Sequence, residues 1–177
     1  VRNRVMQDSN NLYFLENLQH LPVTITHGVE DRTVPPLHPR IFQKILKERG
    51  FIVNYRELPE HGHWWDEPRS SGGGSDSVDN EEMLDFLKQQ VRNRYPQQFN
   101  IRLFDLSIND TFYWIRVLSQ KEALRQTKIS VAVIGEEILL DTENVSAIEV
   151  DWGALNLPIQ QIIWNQQQYP ISDVSPM

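Results

Sequence analysis

Residues 22–28, PVTITHG, and residues 51–58, FIVNYREL, decide how this chain is read. Each is a short run rich in β-branched or aromatic side chains, and each predicts a strand, the first ending at Gly28. Between them Leu37, Ile41, Phe42, Ile45 and Leu46 form one helical stripe behind Pro35 and Pro36, and Gly50 stands where a helix usually ends. Strand, loop, helix and strand in so short a span predict a βαβ unit with parallel strands.

Outward from that unit, Leu12, Leu15, Leu18 and Leu21 recur at helical spacing after DSNN and predict a helix. Residues 70–77, SSGGGSDS, read as a mobile low-complexity loop. Asp79 and Glu82 resemble a capping-box variant ahead of an apolar stripe, Met83, Leu84, Phe86, Leu87 and Val91, which Pro96 should stop. From Phe99 the period changes to strand-like runs, FNIRLFDLSI, TFYWIRVL, KISVAVI, EILLDT and NVSAIEVDW, with turn signals at Asn109-Asp110 and Gly135-Glu136. The organisation expected is an α/β segment over 1–95 and a β-rich accessory segment, sandwich-like, over 96–177. TFYWIRVL carries large residues at successive positions and suggests a strand covered on both faces.

Composition narrows the function classes. A net charge of −7 makes nucleic acid and anionic membrane surfaces poor partners, and no apolar run is long enough to span a bilayer as a helix. With no cysteine there is no thiol nucleophile, thiolate metal site or disulfide framework. The chain starts at Val1 without an initiating Met or the apolar core of a signal peptide, and reads as a fragment. Two Asn-x-Ser/Thr triplets, Asn109-Asp110-Thr111 and Asn144-Val145-Ser146, would suit a secreted parent, although such triplets also arise by chance.

The chemistry gathers after the two predicted strands. Asp31 follows the first by three residues and His63 follows the second, so both leave the same edge of a parallel pair, where open sheets place their sites. A carboxylate there could hold an imidazole in one tautomer and stabilise its charged form. An Asp in a turn more often caps or makes an Asx turn, and His61 rivals His63. His61 and His63 with Glu60, Asp66 and Glu67 could instead suit a divalent metal, at an unconvincing spacing. Of Trp64 and Trp65, which point different ways, one is expected in the core and one at a rim; His27 reads as ending a buried strand, and His20 and His38 as surface or capping residues.

PVTITHGVEDRTVPP followed some thirty residues later by PEHGHWW resembles the C-terminal part of the prolyl oligopeptidase-like (peptidase S9 type) serine hydrolases, over roughly Leu12 to Tyr95. The resemblance implies the C-terminal portion of an α/β-hydrolase fold, parallel strands with flanking helices. Its H-G-x-x-D-x-x-V-P pattern places the triad acid on Asp31, and its G-H pattern places the base on His63, directly after Gly62. No G-x-S-x-G nucleophile turn occurs in the chain. A serine and oxyanion hole are therefore expected upstream, and the chain alone should be inactive. In the complete parent the resemblance implies a peptide or ester substrate, no cofactor, and an upstream segment or second chain covering the sheet. The alternative is a noncatalytic binding module, recognising glycan, peptide or a subunit on a hydrolase remnant.

Overall fold

A computed structural model describes residues 11–66, 74 and 76–173. The chain divides into two compact units, Leu21–Arg92 and a second that joins the described residues up to His20 with those from Asn93 onward. The first helical segment, placed with the α/β segment by its leucine spacing, thus belongs to the β-rich unit. It is a 3-10 helix, Asn11–Leu18, with Leu15 buried.

In the first unit, strand β1 (Val23–Gly28) pairs in parallel with β2 (Val53–Leu58), in register from Val23 opposite Val53 to Gly28 opposite Leu58. Helix α1 (Leu37–Glu48) connects them and packs on both, with Leu46 fully buried. Gly50 follows its end in the left-handed region, φ 79°, which a residue without Cβ adopts freely. Two short helices follow, α2 (Asp76–Asp79) and α3 (Glu81–Lys88), both packing against β1. The cap of α3 is Asn80, whose Oδ1 accepts from the Met83 N–H at 3.0 Å, one residue beyond the predicted Asp79. Helix α3 ends well before Pro96, and Val91, read as part of its stripe, is 92% exposed. Residues 70–73 and 75 of the predicted loop lie outside the described residues.

The second unit contains, among the described residues, eight strands: β3 (Gln98–Leu103), β4 (Thr111–Phe112), β5 (Ile115–Gln120), β6 (Thr127–Ile134), β7 (Glu137–Glu143), β8 (Val145–Val150), β9 (Gln161–Trp164) and β10 (Gln167–Pro170). Five form a mixed sheet in the order β10-β9-β7-β6-β3, antiparallel except between β7 and β9; three form an antiparallel sheet, β4-β5-β8. Period-2 alternation explains the burial. Phe99, Ile101 and Leu103 of β3, Ile129 and Val131 of β6, and Ile138 and Leu140 of β7 share one core with Ile115 and Val117 of β5 and Val145 of β8.

The expected fold class, α/β as the C-terminal portion of an α/β-hydrolase fold, is corrected. The chain is predominantly β: eight of its ten described strands lie in mixed and antiparallel sheets, and one two-stranded pair is wholly parallel. A parallel sheet of the expected kind is wide and covered by helices on both faces; here the pair stops at two strands that are half-buried along nearly their whole length. TFYWIRVL is also not one strand. Tyr113, at φ 56°, and Trp114 form the two-residue turn of the β4–β5 hairpin, and the Trp114 indole N–H donates to the buried Pro96 carbonyl at 2.8 Å.

The β3 edge of the five-stranded sheet is closed by side chains. Asn17 Nδ2 donates to the Arg102 carbonyl and its Oδ1 accepts from the Arg102 N–H, both at 2.8 Å; Gln19 Oε1 accepts from the Asn100 N–H at 3.0 Å, and His20 Nε2 lies 2.6 Å from the Gln98 carbonyl. Glu16 pairs with the Arg102 guanidinium. The end of the 3-10 helix and the turn after it thus supply, through side chains, the partners a further strand would have supplied. Asn17→Ala is expected to destabilise the β-rich unit by about 1–3 kcal/mol, because it strands a donor and an acceptor of the same residue. Urea unfolding checks this: the midpoint should fall with the slope unchanged.

Candidate functional site

The candidate site is built by the two loops that leave the C-terminal ends of β1 and β2. Both are tied to each other through the backbone: the Val29 N–H donates to the Leu58 carbonyl and the Glu30 N–H to the His61 carbonyl, each at 2.9 Å. The approach is so close that a Cβ on Gly28 would lie 2.2 Å from the Gly62 carbonyl oxygen and 2.3 Å from that of His61. Glycine at 28 is therefore required by space. Glu60, at φ 62°, makes the tight turn that sends the second loop back over Gly28.

Asp31 and His63 meet across this junction. His63 Nδ1 lies 2.8 Å from Asp31 Oδ2; the Asp31 side chain is 3% exposed and that of His63 35%. The other oxygen of the same carboxylate, Oδ1, accepts from the Thr33 N–H at 2.8 Å and the Val34 N–H at 2.9 Å. The Asx-turn reading and the imidazole-orienting reading thus describe two oxygens of one group. Burial pushes the Asp31 carboxyl upward, but the His63 hydrogen bond, the Val34 and Thr33 amides and the charge of His63 outweigh it and hold it at about 2. Donation from Nδ1 leaves the neutral His63 ring with its lone pair on Nε2, the atom that could take a proton.

His61 is not in this contact. Its Nδ1 lies 2.6 Å from the Pro59 carbonyl, and its ring packs edge-on against Trp65, centroids 5.2 Å apart. The tryptophans diverge: Trp64 is 63% exposed and stands edge-to-face with the His63 ring at 5.0 Å, whereas Trp65 is half-buried. Gly74, at φ 75°, lies so close to Trp64 that a Cβ there would sit 2.9 Å from the Trp64 Cβ, and its N–H donates to Asp66 Oδ1 at 2.7 Å. Among the described residues no group of three or more His, Asp or Glu side chains is arranged to hold a metal ion; Glu67 lies outside them.

His27 is a member that the sequence reading left out. Its Nε2 stands 3.4 Å from Asp31 Oδ2, on the same oxygen as His63, and its Nδ1 lies 2.9 Å from the Gly28 carbonyl. The signal was its place at the end of β1, four residues before Asp31. Beside it, Arg40 of α1 grips Glu57 of β2 with two bonds, 2.5 and 2.8 Å, and the Tyr55 hydroxyl donates to the same carboxylate. The Arg40 and Tyr55 hydrogen bonds hold Glu57 down at about 2, while burial and then Glu57 push Tyr55 up to about 12. This cluster clamps the helix to the strand that leads into the second loop.

No protein family model matches the chain, and no solved structure matches it. A stretch of 62 residues is 32% identical to an uncharacterized secreted protein of Arthroderma benhamiae, covering 35% of this chain and 7% of that protein. The matched stretch thus spans less than a tenth of the length of this curated relative.

Two outcomes are expected at this site. Gly28→Ala should push the 61–63 loop off β1 and separate His63 from Asp31, at a cost of about 1–3 kcal/mol; loss of the hydrogen-bonded imidazole proton signal of His63 by NMR would register the separation. Asp31 should also carry an acid-dependent share of stability. Its folded value of about 2 lies below the roughly 3.9 of an unfolded Asp, so the unfolded chain takes up the proton first as pH falls. That share is complete above about pH 5 and lost as pH falls toward about 2. The difference in urea stability between the protein and Asp31→Asn should therefore shrink as pH falls below about 4.

Proposed function

We propose that residues 21–92 carry the acid and base of a serine hydrolase relay, with Asp31 as the orienting acid and His63 as the general base, and that the nucleophile comes from outside these residues. The observation that carries the reading is the 2.8 Å contact between a partly exposed imidazole and a buried carboxylate anchored by two backbone amides. A serine hydroxyl brought to His63 Nε2 would pass its proton to that nitrogen as its oxygen attacks an ester or amide carbonyl. Asp31, already ionised, would stabilise the imidazolium, which then returns the proton to the leaving group. The exposed Trp64 would form an apolar wall beside the base.

The reading rests on this pair of residues and on the motif resemblance to prolyl oligopeptidase-like hydrolases, not on a hydrolase fold. It requires a partner, an upstream segment or a second chain, that brings the serine and amides for the oxyanion and lies against the half-buried β1–β2 pair. The substrate in that assembly would be a peptide or an ester. The proposal also takes the protein as exported, on its 62-residue similarity to a protein described as secreted.

By itself the chain is expected to leave a fluorophosphonate probe unreacted and to hydrolyse activated esters no faster than buffer. Joined to the segment that supplies the serine, it should label and turn over, and Asp31→Asn should then lower kcat by about 10⁴ with His61→Ala nearly silent. Turnover of the joined protein that survives His63→Ala would overturn the assignment. Labelling of the isolated chain would overturn the need for a partner and direct attention to Ser70 or Ser71.

A further inference from the structure

The β-rich unit contains both Asn-x-Ser/Thr triplets of the chain, and the fold treats their asparagines in opposite ways. Asn109 is exposed, two residues before β4, beside Ile108, which is 84% exposed. Its side-chain oxygen accepts from the Thr111 N–H at 3.3 Å, a local turn that engages the carbonyl end of the amide. Among the described residues no hydrogen bond engages its Nδ2. The triplet's middle residue is fixed separately: Asp110 accepts from the Thr111 hydroxyl at 2.7 Å and pairs with Arg116 at 2.8 Å.

Asn144 is the reverse case. It sits in the left-handed region, φ 64°, between β7 and β8, and its Nδ2 reaches the Glu122 carbonyl at 3.0 Å, the Arg125 carbonyl at 3.3 Å and the Thr127 hydroxyl at 3.1 Å. Its Oδ1 accepts from the Glu122 N–H at 2.8 Å, and the Ser146 hydroxyl is bonded to that of Ser119 at 2.7 Å. The Asn144 amide holds the 121–127 loop onto the sheet, beside the fully buried Thr127. A sugar on that nitrogen would need the space these acceptors occupy and would leave them without a donor.

We propose that Asn109 is a site of N-linked glycosylation and that Asn144 is unmodified in the folded protein. The ligand class is an oligosaccharide carried on a lipid pyrophosphate, transferred by the membrane-bound glycosyl transferase of the secretory pathway. The Asn109 amide nitrogen forms a bond to the anomeric carbon of the first sugar; the bond from that carbon to the pyrophosphate oxygen breaks, the lipid pyrophosphate leaves with the electron pair, and the nitrogen gives up one hydrogen as a proton. A glycan there extends from the exposed residues 107–109 and covers Ile108. The inference rests on export alone and is independent of the hydrolase reading.

The test is the full chain secreted from a yeast host behind a cleavable leader, which exposes both triplets to the transferase whatever the native route. Treatment with peptide N-glycosidase should remove one glycan and convert Asn109, read by peptide mass spectrometry, to Asp. Thr111→Ala should abolish the shift, whereas Ser146→Ala, which removes the second triplet and keeps the Asn144 amide, should retain it. A secreted chain without glycan, a conversion mapped to position 144, or a shift lost in Ser146→Ala and kept in Thr111→Ala would overturn the proposal.

Discussion

The candidate site depends on the contact between Gly28 and the carbonyls of His61 and Gly62. A strand that ends in a residue with no side chain lets the second loop lie directly on its backbone, and the Glu30 N–H then bonds the His61 carbonyl. From that point the second loop has little freedom left. His61 faces back toward Pro59, His63 faces Asp31, and Trp64 is left outside. One steric vacancy therefore determines which of two histidines, two residues apart, reaches the carboxylate.

Asp31 shows how a local and a long-range role coexist on one group. Its Oδ1 bonds amides two and three residues ahead and gives the loop its shape; its Oδ2 faces histidines from both strand ends. The local bonds position the distal oxygen before any partner arrives, which is the preorganisation an orienting acid needs. The proline pair at 35 and 36 then starts α1, so the loop is bounded by a strand at one end and a helix at the other.

Local features were legible in the sequence to the extent that they rest on local chemistry. The βαβ order, Gly50 after α1, the Gly135 turn and the strand runs at 128–134 and 137–142 all follow from periodicity and turn residues. The architecture was not legible, because the width of a sheet depends on pairings that the sequence does not display. Two parallel strands were extended in expectation to a covered parallel sheet, while the chain places most of its strands in the other unit. Asn165 and Gln166 both sit at positive φ, 47° and 71°, and turn β9 into β10, a turn that no glycine or proline marks in the sequence. That a loop histidine would come near Asp31 was readable from the ends of two adjacent strands, while the choice of His63 over His61 came from the motif resemblance; His27 was passed over because its position suggested a structural role.

The capped β3 edge bears on how copies of this protein meet. A sheet polymerises only if each added unit offers a fresh rim on its far side. In the five-stranded sheet one rim is filled by Asn17, Gln19 and His20, and the other, β10, ends in Pro170, which has no N–H to give. Two copies joined through β10 would present only their blocked rims outward. Edge pairing between copies through this sheet would be confined to β10 and would end at a dimer, with no free rim left for growth along that direction.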